Sequence, residues 1–424
     1  MSSNSGRRHG GHGGHGGHGG HSDAPSFVHL RRLTDDTGLL EHALGRIPRR
    51  QEGYTTDDNA RALWTVAEWL DPRRKRFVGE ADRATLRSLA DIYLAFLLWT
   101  QQEDGWFHNN VAYDRSLEPE GVSHDCQGRA VWSCADAWVR LGEGQRETAF
   151  ILFQKAIRTI GSIGSMRGRA FAMAACAHLL EAAGNGVIEL PSGWRNELEH
   201  HLRRFEQILI DAFRHFSHGG WRWFEPVMSY SNGILPWAML RAFRVTKRAE
   251  TLEIGLDSLS SLQTAMTSEN GCFRPIGNES WRTRDSVSYW DQQPLELFKL
   301  ALALEEAAAA LETVRHDGVS LLVSASSAES GRGHAKSGTL TAERSGELVL
   351  GDARLVDIAE HIEFLRQARN RCLDWFYGDN DLGVPMADPK EGCCFDGLQE
   401  NGPNMNCGAE AALSYLMTHA LCAD

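Results

Sequence analysis

Apolar residues recur at i, i+3, i+4 and i+7 through eight windows of this chain: 61–70, 86–100, 130–141, 169–183, 198–216, 235–245, 295–311 and 358–375. That period lays them along one face of a helix, and alternating strand patterns are scarce between the windows. The pattern predicts an all-α chain. Six helix starts resemble one another: "TTDDNARALWTV" from Thr55, "SHDCQGRAVWSC" from Ser123, "SMRGRAFAMAAC" from Ser165, "SYSNGILPWAML" from Ser229, "SYWDQQPLELFKL" from Ser288 and "NMNCGAEAALSYL" from Asn404. Each opens on Ser, Thr or Asn, whose side chains cap helix N-termini. After a polar turn each continues with small or apolar residues on nearly every face, which marks a helix buried all round.

Between these starts run amphipathic segments with charged faces, such as "DRATLRSLADIYLAFLLW" and "WRNELEHHLRRFEQILIDAF". A buried helix alternating with a surface helix, six times over, describes an (α/α)6 toroid with six inner and about six outer helices. The starts lie 42 to 68 residues apart until a last gap of 116, which contains the Ser/Gly-rich stretch 317–352. That stretch reads as an irregular insertion in a single toroid domain spanning 26–424. Residues 1–25 are Gly/His low complexity, expected to be a disordered tail or a purification tag. A second repeat sits in the turns "EDGWFHN", "HGGWRWFE" and "ENGCFRP", where Gly105, Gly219, Gly220 and Gly271 supply the left-handed stop after an outer helix.

Composition narrows the partners. A net charge of −12 argues against nucleic acid or an anionic membrane surface. Nine cysteines, an odd number without the spacing of a disulfide framework or zinc site, point to a reducing, cytoplasmic compartment. No run of 18 apolar residues and no apolar leader is present. A Walker-type loop, a GxGxxG after a strand and an HExxH motif are all missing, so neither cofactor nor metal is expected. Thirteen Trp residues, many beside Gly, Asp or His, read mainly as core, with some available to a sugar-binding cleft.

The toroid makes a chemical prediction. Its inner helices start at one end, so their polar first turns converge on one bowl. The bowl would gather Asp57, Asp58, Asn59 and Arg61; Asp125 and Arg129; Arg169; Asn232; Asp291, Gln292 and Gln293; and Glu410. Loops would add His108, Asn109, Asp114, Arg115, His124, Trp223, Glu225, Trp281, Asp379, Asn380 and Asp381. A first-turn Asp ordinarily caps a helix, stabilising by roughly 0.5–2 kcal/mol, and the spacing in "DDNAR" also allows a local ion pair. But a cap needs one acid, and unpaired carboxylates at the ends of buried helices cost several kcal/mol. Carboxylates, amides, Arg and aromatics together suit a sugar. Glycoside hydrolysis needs one carboxyl as proton donor and a second as base or nucleophile. Asp58 is the expected cleft carboxyl, with Asp57 as its capping neighbour and Asp125 or Asp291 as the acid that faces it.

The segments "HLRRLTDDTGLLEHALGRIPRRQEGYTTDDNARAL", "GWFHNNVAYDR", "SHDCQGRAVW", "WRWFEPVMSYSNGILPWAML", "FRPIGN", "WDQQPLEL", "GDNDLG" and "CCFDGL" resemble the bacterial glycosyltransferase-associated proteins of the six-hairpin glycosidase superfamily. The resemblance runs over about residues 28–421. It implies the toroid, a carbohydrate ligand, and a glycosyltransferase or glycoside phosphorylase as pathway partner. This chain departs from the pattern at His124, where an acid is commoner, and at Ser231, where Asp or Cys is commoner. It carries no nucleotide-sugar-binding Rossmann halves.

Three functions fit. The first is a glycoside hydrolase acting on a manno- or gluco-configured oligosaccharide. The second is a sugar 2-epimerase or lyase on the same fold, with His108 and His124 as candidate bases. The third is a non-catalytic glycan-binding partner of a glycosyltransferase.

Overall fold

Helical periodicity and burial divide the chain into two concentric sets of helices. The computed structural model describes residues 24–317 and 353–423, with three short strand segments between them. The Gly/His-rich stretch, except for its last two residues, and most of 317–352 lie outside the described residues. The helices are α1 (Val28–Leu33), α2 (Thr56–Leu70), α3 (Glu80–Thr100), α4 (His124–Arg140), α5 (Glu143–Ala156), α6 (Met166–Gly184), α7 (Trp194–Phe216), α8 (Ile234–Thr246), α9 (Ala249–Ala265), α10 (Pro294–Asp317), α11 (Ile358–Asp374) and α12 (Ala409–Cys422).

The even-numbered helices form the inner ring. Each packs on the next, α2 on α4, α4 on α6, α6 on α8, α8 on α10 and α10 on α12, and α12 returns to α2. The odd-numbered helices form the outer layer: α3, α5, α7, α9 and α11 lie against α2, α4, α6, α8 and α10, and the short α1 lies against α12. This is the (α/α)6 toroid that the repeat predicts. Every residue of α2 except Asp57 is buried, as its apolar faces require. The charged outer segment expected at 194–213 is α7, which buries one stripe through Leu198, Leu202, Phe205, Leu209 and Phe213.

Aromatic residues from five inner helices meet on the barrel axis. Trp64 of α2 contacts Trp132 of α4 at 5.4 Å and Phe298 of α10 at 5.4 Å, and Trp132 meets Trp237 of α8 at 4.8 Å. Phe171 of α6 closes the cluster at 6.0 Å from Trp237. These tryptophans are core residues. Inner helices approach closely where side chains vanish: a Cβ on Gly128 would lie 2.5 Å from the Cα of Gly168, so α4 and α6 touch backbone to backbone.

The predicted caps hold at three helices. Thr55, Ser123 and Ser165 accept from the backbone N–H of Asp58, Cys126 and Gly168 at 3.1, 3.3 and 3.1 Å. At the other three the helix starts later than the sequence suggests. Ser229 and Ser288 lie in loops, Asn404 ends the short strand Gly402–Asn404, and α8, α10 and α12 open at Ile234, Pro294 and Ala409. The reason is backbone geometry. Ser231 and Asp291 hold φ of 47° and 53°, which no helix start tolerates, and Pro294 suits a first helical position. Helices α5 and α9 have no counterpart among the predicted windows. The turn glycines Gly105, Gly219, Gly220 and Gly271 take φ of 95°, 57°, 82° and 85°, as predicted.

Candidate active site

At the N-terminal mouth of the inner ring lies a cavity of about 550 Å³. It is lined by Thr55, Asp57, Asp58 and Arg61 of α2 and its cap, Ser123, Asp125, Cys126 and Arg129 of α4, Tyr230 and Ser231 before α8, Gln293, Pro294 and Leu295 at α10, and Gly408, Glu410 and Ala411 at α12. Glu41, His42, Asn109, Asn110 and Asp396 complete the wall from loops. A larger cavity of about 960 Å³ sits at the opposite mouth. There the charges pair with one another: Glu68 with Arg74 and Arg140 at 2.8 Å each, and Glu306 with Arg241 and Arg244 at 2.8 and 2.9 Å. Arginines in the last turns of α4 and α8 also answer those helix dipoles.

The start of α2 is tied down before any ligand arrives. A short ladder pairs Tyr54 with Val111 and Thr55 with Asn110. The Asn109 side chain accepts from the Asp57 N–H at 3.1 Å, and Thr56 N–H donates to the Asn109 carbonyl at 2.8 Å. Arg61, buried one turn further on, donates to Asp58 at 2.9 Å and Asp57 at 3.2 Å, and pairs with Glu410 at 2.8 Å. Arg129 also pairs with Asp57. Burial lowers the Arg129 guanidinium to about 10.

Asp58 is enclosed. Burial pushes its carboxyl up to about 7, Arg61 pulls it back, and the neighbouring Glu410 and Glu41 add to the rise. Glu41 and Asp396 are raised by burial as well. On the adjacent inner helix, Asp125 accepts from two hydroxyls, Ser165 on one oxygen and Tyr230 on the other. One cavity wall therefore holds Asp58, whose carboxyl is raised to about 7, and Asp125, whose two oxygens each accept from a hydroxyl.

Of the residues predicted for the bowl, the structure brings Asp57, Asp58, Arg61, Asn109, Asp125, Arg129, Gln293 and Glu410 to the cavity wall. Others stand behind it. Asn59 brackets Leu39, accepting from its N–H at 2.8 Å and donating to its carbonyl at 3.3 Å, and so fixes the segment that carries Glu41 and His42. His108 lies 3.6 Å from Glu120, and the His124 ring accepts from the Gly164 N–H at 3.2 Å. Arg169 donates to the Ile163 carbonyl at 3.0 Å. Glu225 holds Arg167 at 3.0 Å, and Asn232 donates to Glu296 at 2.9 Å. Gln292 donates to Asp381 at 2.7 Å, and Asp381 also pairs with Arg274 at 2.6 Å. Asn380 braces its own loop at the Val384 carbonyl, 2.7 Å away, and Asp379 N–H bonds the Asp374 carbonyl at 3.0 Å.

Several candidates stand elsewhere. Trp223 is fully buried in the core. Asp114 and Arg115 form an exposed turn in which Asp114 accepts from Ser116 and Arg115 reaches Asp36 at 3.0 Å. Asp291 is not a wall residue: it accepts from Asn278 at 3.3 Å in the loop before α10. Trp281, at φ 62°, stands 6.3 Å from Tyr230. Sequence reasoning missed Glu41, His42, Tyr230 and Asp396. All four fall inside motif segments, but no local spacing points them at the cavity.

Comparison with solved structures finds the same (α/α)6 toroid fold in sugar-active proteins. It aligns with cellobiose 2-epimerase from Bacillus thermoamylovorans B4167 at a TM-score of 0.59 and 10% identity, covering 93% of this chain and 96% of that one. It aligns with the GH76A alpha-1,6-mannanase of Salegentibacter sp. HEL1_6 at 0.54 and 12%, covering 93% and 96%. D-mannose isomerase aligns at 0.51 and 9%, covering 68% and 79%. At such identities the likeness is one of fold. No protein-family model matches the sequence, and no curated protein matches it. The narrower glycosyltransferase-associated resemblance rests on its motifs alone. Among the described residues no helix is long and apolar enough to cross a membrane.

Proposed function

We propose that this chain is a carbohydrate-active enzyme that hydrolyses a glycosidic bond in a manno- or gluco-configured oligosaccharide. The observation that carries the proposal is the presence, in the wall of one cavity, of an Asp58 carboxyl pushed up to about 7 and of Asp125, whose carboxyl accepts from two hydroxyls. Asp58 gives its proton to the glycosidic oxygen as that bond breaks. Asp125 takes the proton of the water that attacks the anomeric carbon. Arg61 and Arg129 keep the acidic floor compact, and Glu410 and Gln293 face the sugar hydroxyls.

The solved mannanase supports the substrate class. An inactive variant of it, with two consecutive aspartates replaced by asparagine, was captured with alpha-1,6-mannotriose. The consecutive pair here is Asp57–Asp58. The epimerase reading, favoured by the fold likeness, asks for histidines facing each other across the ring. Among the described residues His42 is the one histidine on the cavity wall, which favours hydrolysis. The motif resemblance suggests an enzyme that builds or phosphorolyses the same oligosaccharide as the pathway partner.

The test is incubation of purified protein with manno- and gluco-oligosaccharides of defined linkage. Released reducing ends are quantified, and the first anomer formed is read by NMR. Hydrolysis yields shorter sugars, and inversion at the anomeric carbon fits the water attack above. A product of unchanged length with an epimerised end would sink the reading in favour of epimerisation. Binding without turnover would leave a glycan-binding protein. Asp57→Asn, Asp58→Asn and Asp125→Asn, assayed side by side, identify the carboxylates in use.

A further inference from the structure

Tyr230 has three constraints that a surface tyrosine does not ordinarily carry. Its hydroxyl donates to Asp125. Its carbonyl accepts from Arg167 Nε at 2.5 Å, and the same guanidinium lies 4.4 Å under its ring. Arg167 is itself fixed, donating to Glu225 at 3.0 Å and Ser229 at 3.0 Å. The next residue, Ser231, is fully buried, and its backbone is held at φ 47°, a left-handed conformation that non-glycine residues rarely adopt. That local strain turns Tyr230 towards the cavity. With one face on Arg167 and Trp281 tilted against it at 6.3 Å, Tyr230 is still 39% exposed, and it lines the bowl.

We infer that Tyr230 serves the hydrolase reading twice: its open face is the platform on which a sugar ring stacks, and its hydroxyl positions the Asp125 carboxylate beside that sugar. The inference rests on the proposed hydrolysis for its second half and on saccharide binding for its first. A ring clamped in advance loses little freedom when a pyranose settles on it, and its quadrupole suits the CH face of the sugar. The hydroxyl keeps its proton, since burial and the adjacent Asp125 raise it to about 12, so it donates throughout the neutral range. The charges acting on Tyr230 are Asp125 and Arg129 from α4 and Arg167 from α6, while Glu120 and Asp58 act on Cys126, the residue after Asp125.

Two substitutions separate the roles. Tyr230→Phe keeps the platform and removes the donor. Its kcat is expected to fall about 10-fold or more with KM within about twofold of wild type. Its pH–kcat profile should also change shape, a readout that a merely structural role would leave in place. Tyr230→Leu removes both, so KM and the calorimetric dissociation constant for a tetrasaccharide should also rise about 10-fold. A thermal melt of each variant controls for folding.

Unchanged kcat, KM and pH profile in both variants overturns the inference. If wild-type protein binds the tetrasaccharide without cleaving it, the hydrolase reading and the positioning role fall together, and loss of affinity in Tyr230→Leu alone still supports the platform. If wild-type protein neither binds nor cleaves any saccharide tested, both roles are rejected.

Discussion

Arg61 and Asp58 form an ion pair of 2.9 Å within a single turn of a buried helix, yet the carboxyl is still pushed up to about 7. Desolvation outweighs the attraction because one guanidinium is shared among Asp57, Asp58 and Glu410.

Replacing Asp58 by Asn should separate activity from stability. Turnover falls about 10²–10⁴-fold through loss of the proton donor. The folded Asp58 takes a proton more readily than the unfolded one. Its contribution to stability is therefore complete below the ordinary value of 3.8 and is lost as pH rises through about 7. Asn carries no such penalty, so the variant gains about 1–3 kcal/mol near pH 8 and less towards pH 4. Denaturant titrations at several pH values read this directly. In the wild type, the same group predicts a basic limb of kcat/KM close to pH 7 on any substrate that is cleaved.

Arg61→Met should be costly. It takes the guanidinium from Asp58 and Glu410 and leaves Asp57 to Arg129, and breaking a buried pair on one side costs about 3–5 kcal/mol. A drop in Tm that acid partly reverses, as those carboxylates take protons, is the expected signature. An unchanged melt would show that Arg129 alone can hold them.

Lys299 of α10 is fully buried, with its amine 3.8 Å from the centre of the Phe298 ring and 4.8 Å from that of Trp64. The amine has no hydrogen-bond partner among the described residues. Burial drives its pKa well below 10.5, so the folded chain carries it neutral more readily than the unfolded chain does. Its cost is greatest at lower pH and fades as pH approaches the ordinary lysine value. Lys299→Met should stabilise by about 1–4 kcal/mol at pH 7 and by less at pH 10. Equal stability at pH 7 would mean that the aromatic cage compensates the amine fully.

Gly128→Ala tests the contact between α4 and α6. The added methyl meets backbone of Gly168 at 2.5 Å, which cannot swing aside as a side chain would. A loss of about 1–3 kcal/mol is expected in chemical denaturation, with turnover impaired because the same helix carries Asp125.

The toroid was legible because its signal is periodic and repeated: apolar faces at helical spacing, and Thr55, Ser123 and Ser165 at true caps. Eight of the 21 wall residues were legible, five of them (Asp57, Asp58, Arg61, Asp125 and Arg129) because they sit in the first two turns of inner helices. The rest is set by tertiary geometry. Asp291 looks like a first-turn acid, but its left-handed backbone puts it in a loop. Glu41 and His42 reach the cavity because Asn59 grips Leu39, a long-range bond with no spacing signature. Tyr230 faces the hollow because of strain at Ser231 and a guanidinium on another helix. The insertion predicted at 317–352 falls mostly outside the described residues.

The ring closes where α12 docks against α2 and α1. Arg61, near one extreme of the sequence, meets Glu410, near the other, across that seam. A nascent chain emerging from the ribosome therefore holds an unclosed horseshoe, its apolar flank uncovered, until the last helix arrives. Long-range contacts of this kind form late and slowly. The cavity then doubles as a report on closure of the ring, for it acquires its full set of charges only once the seam is sealed.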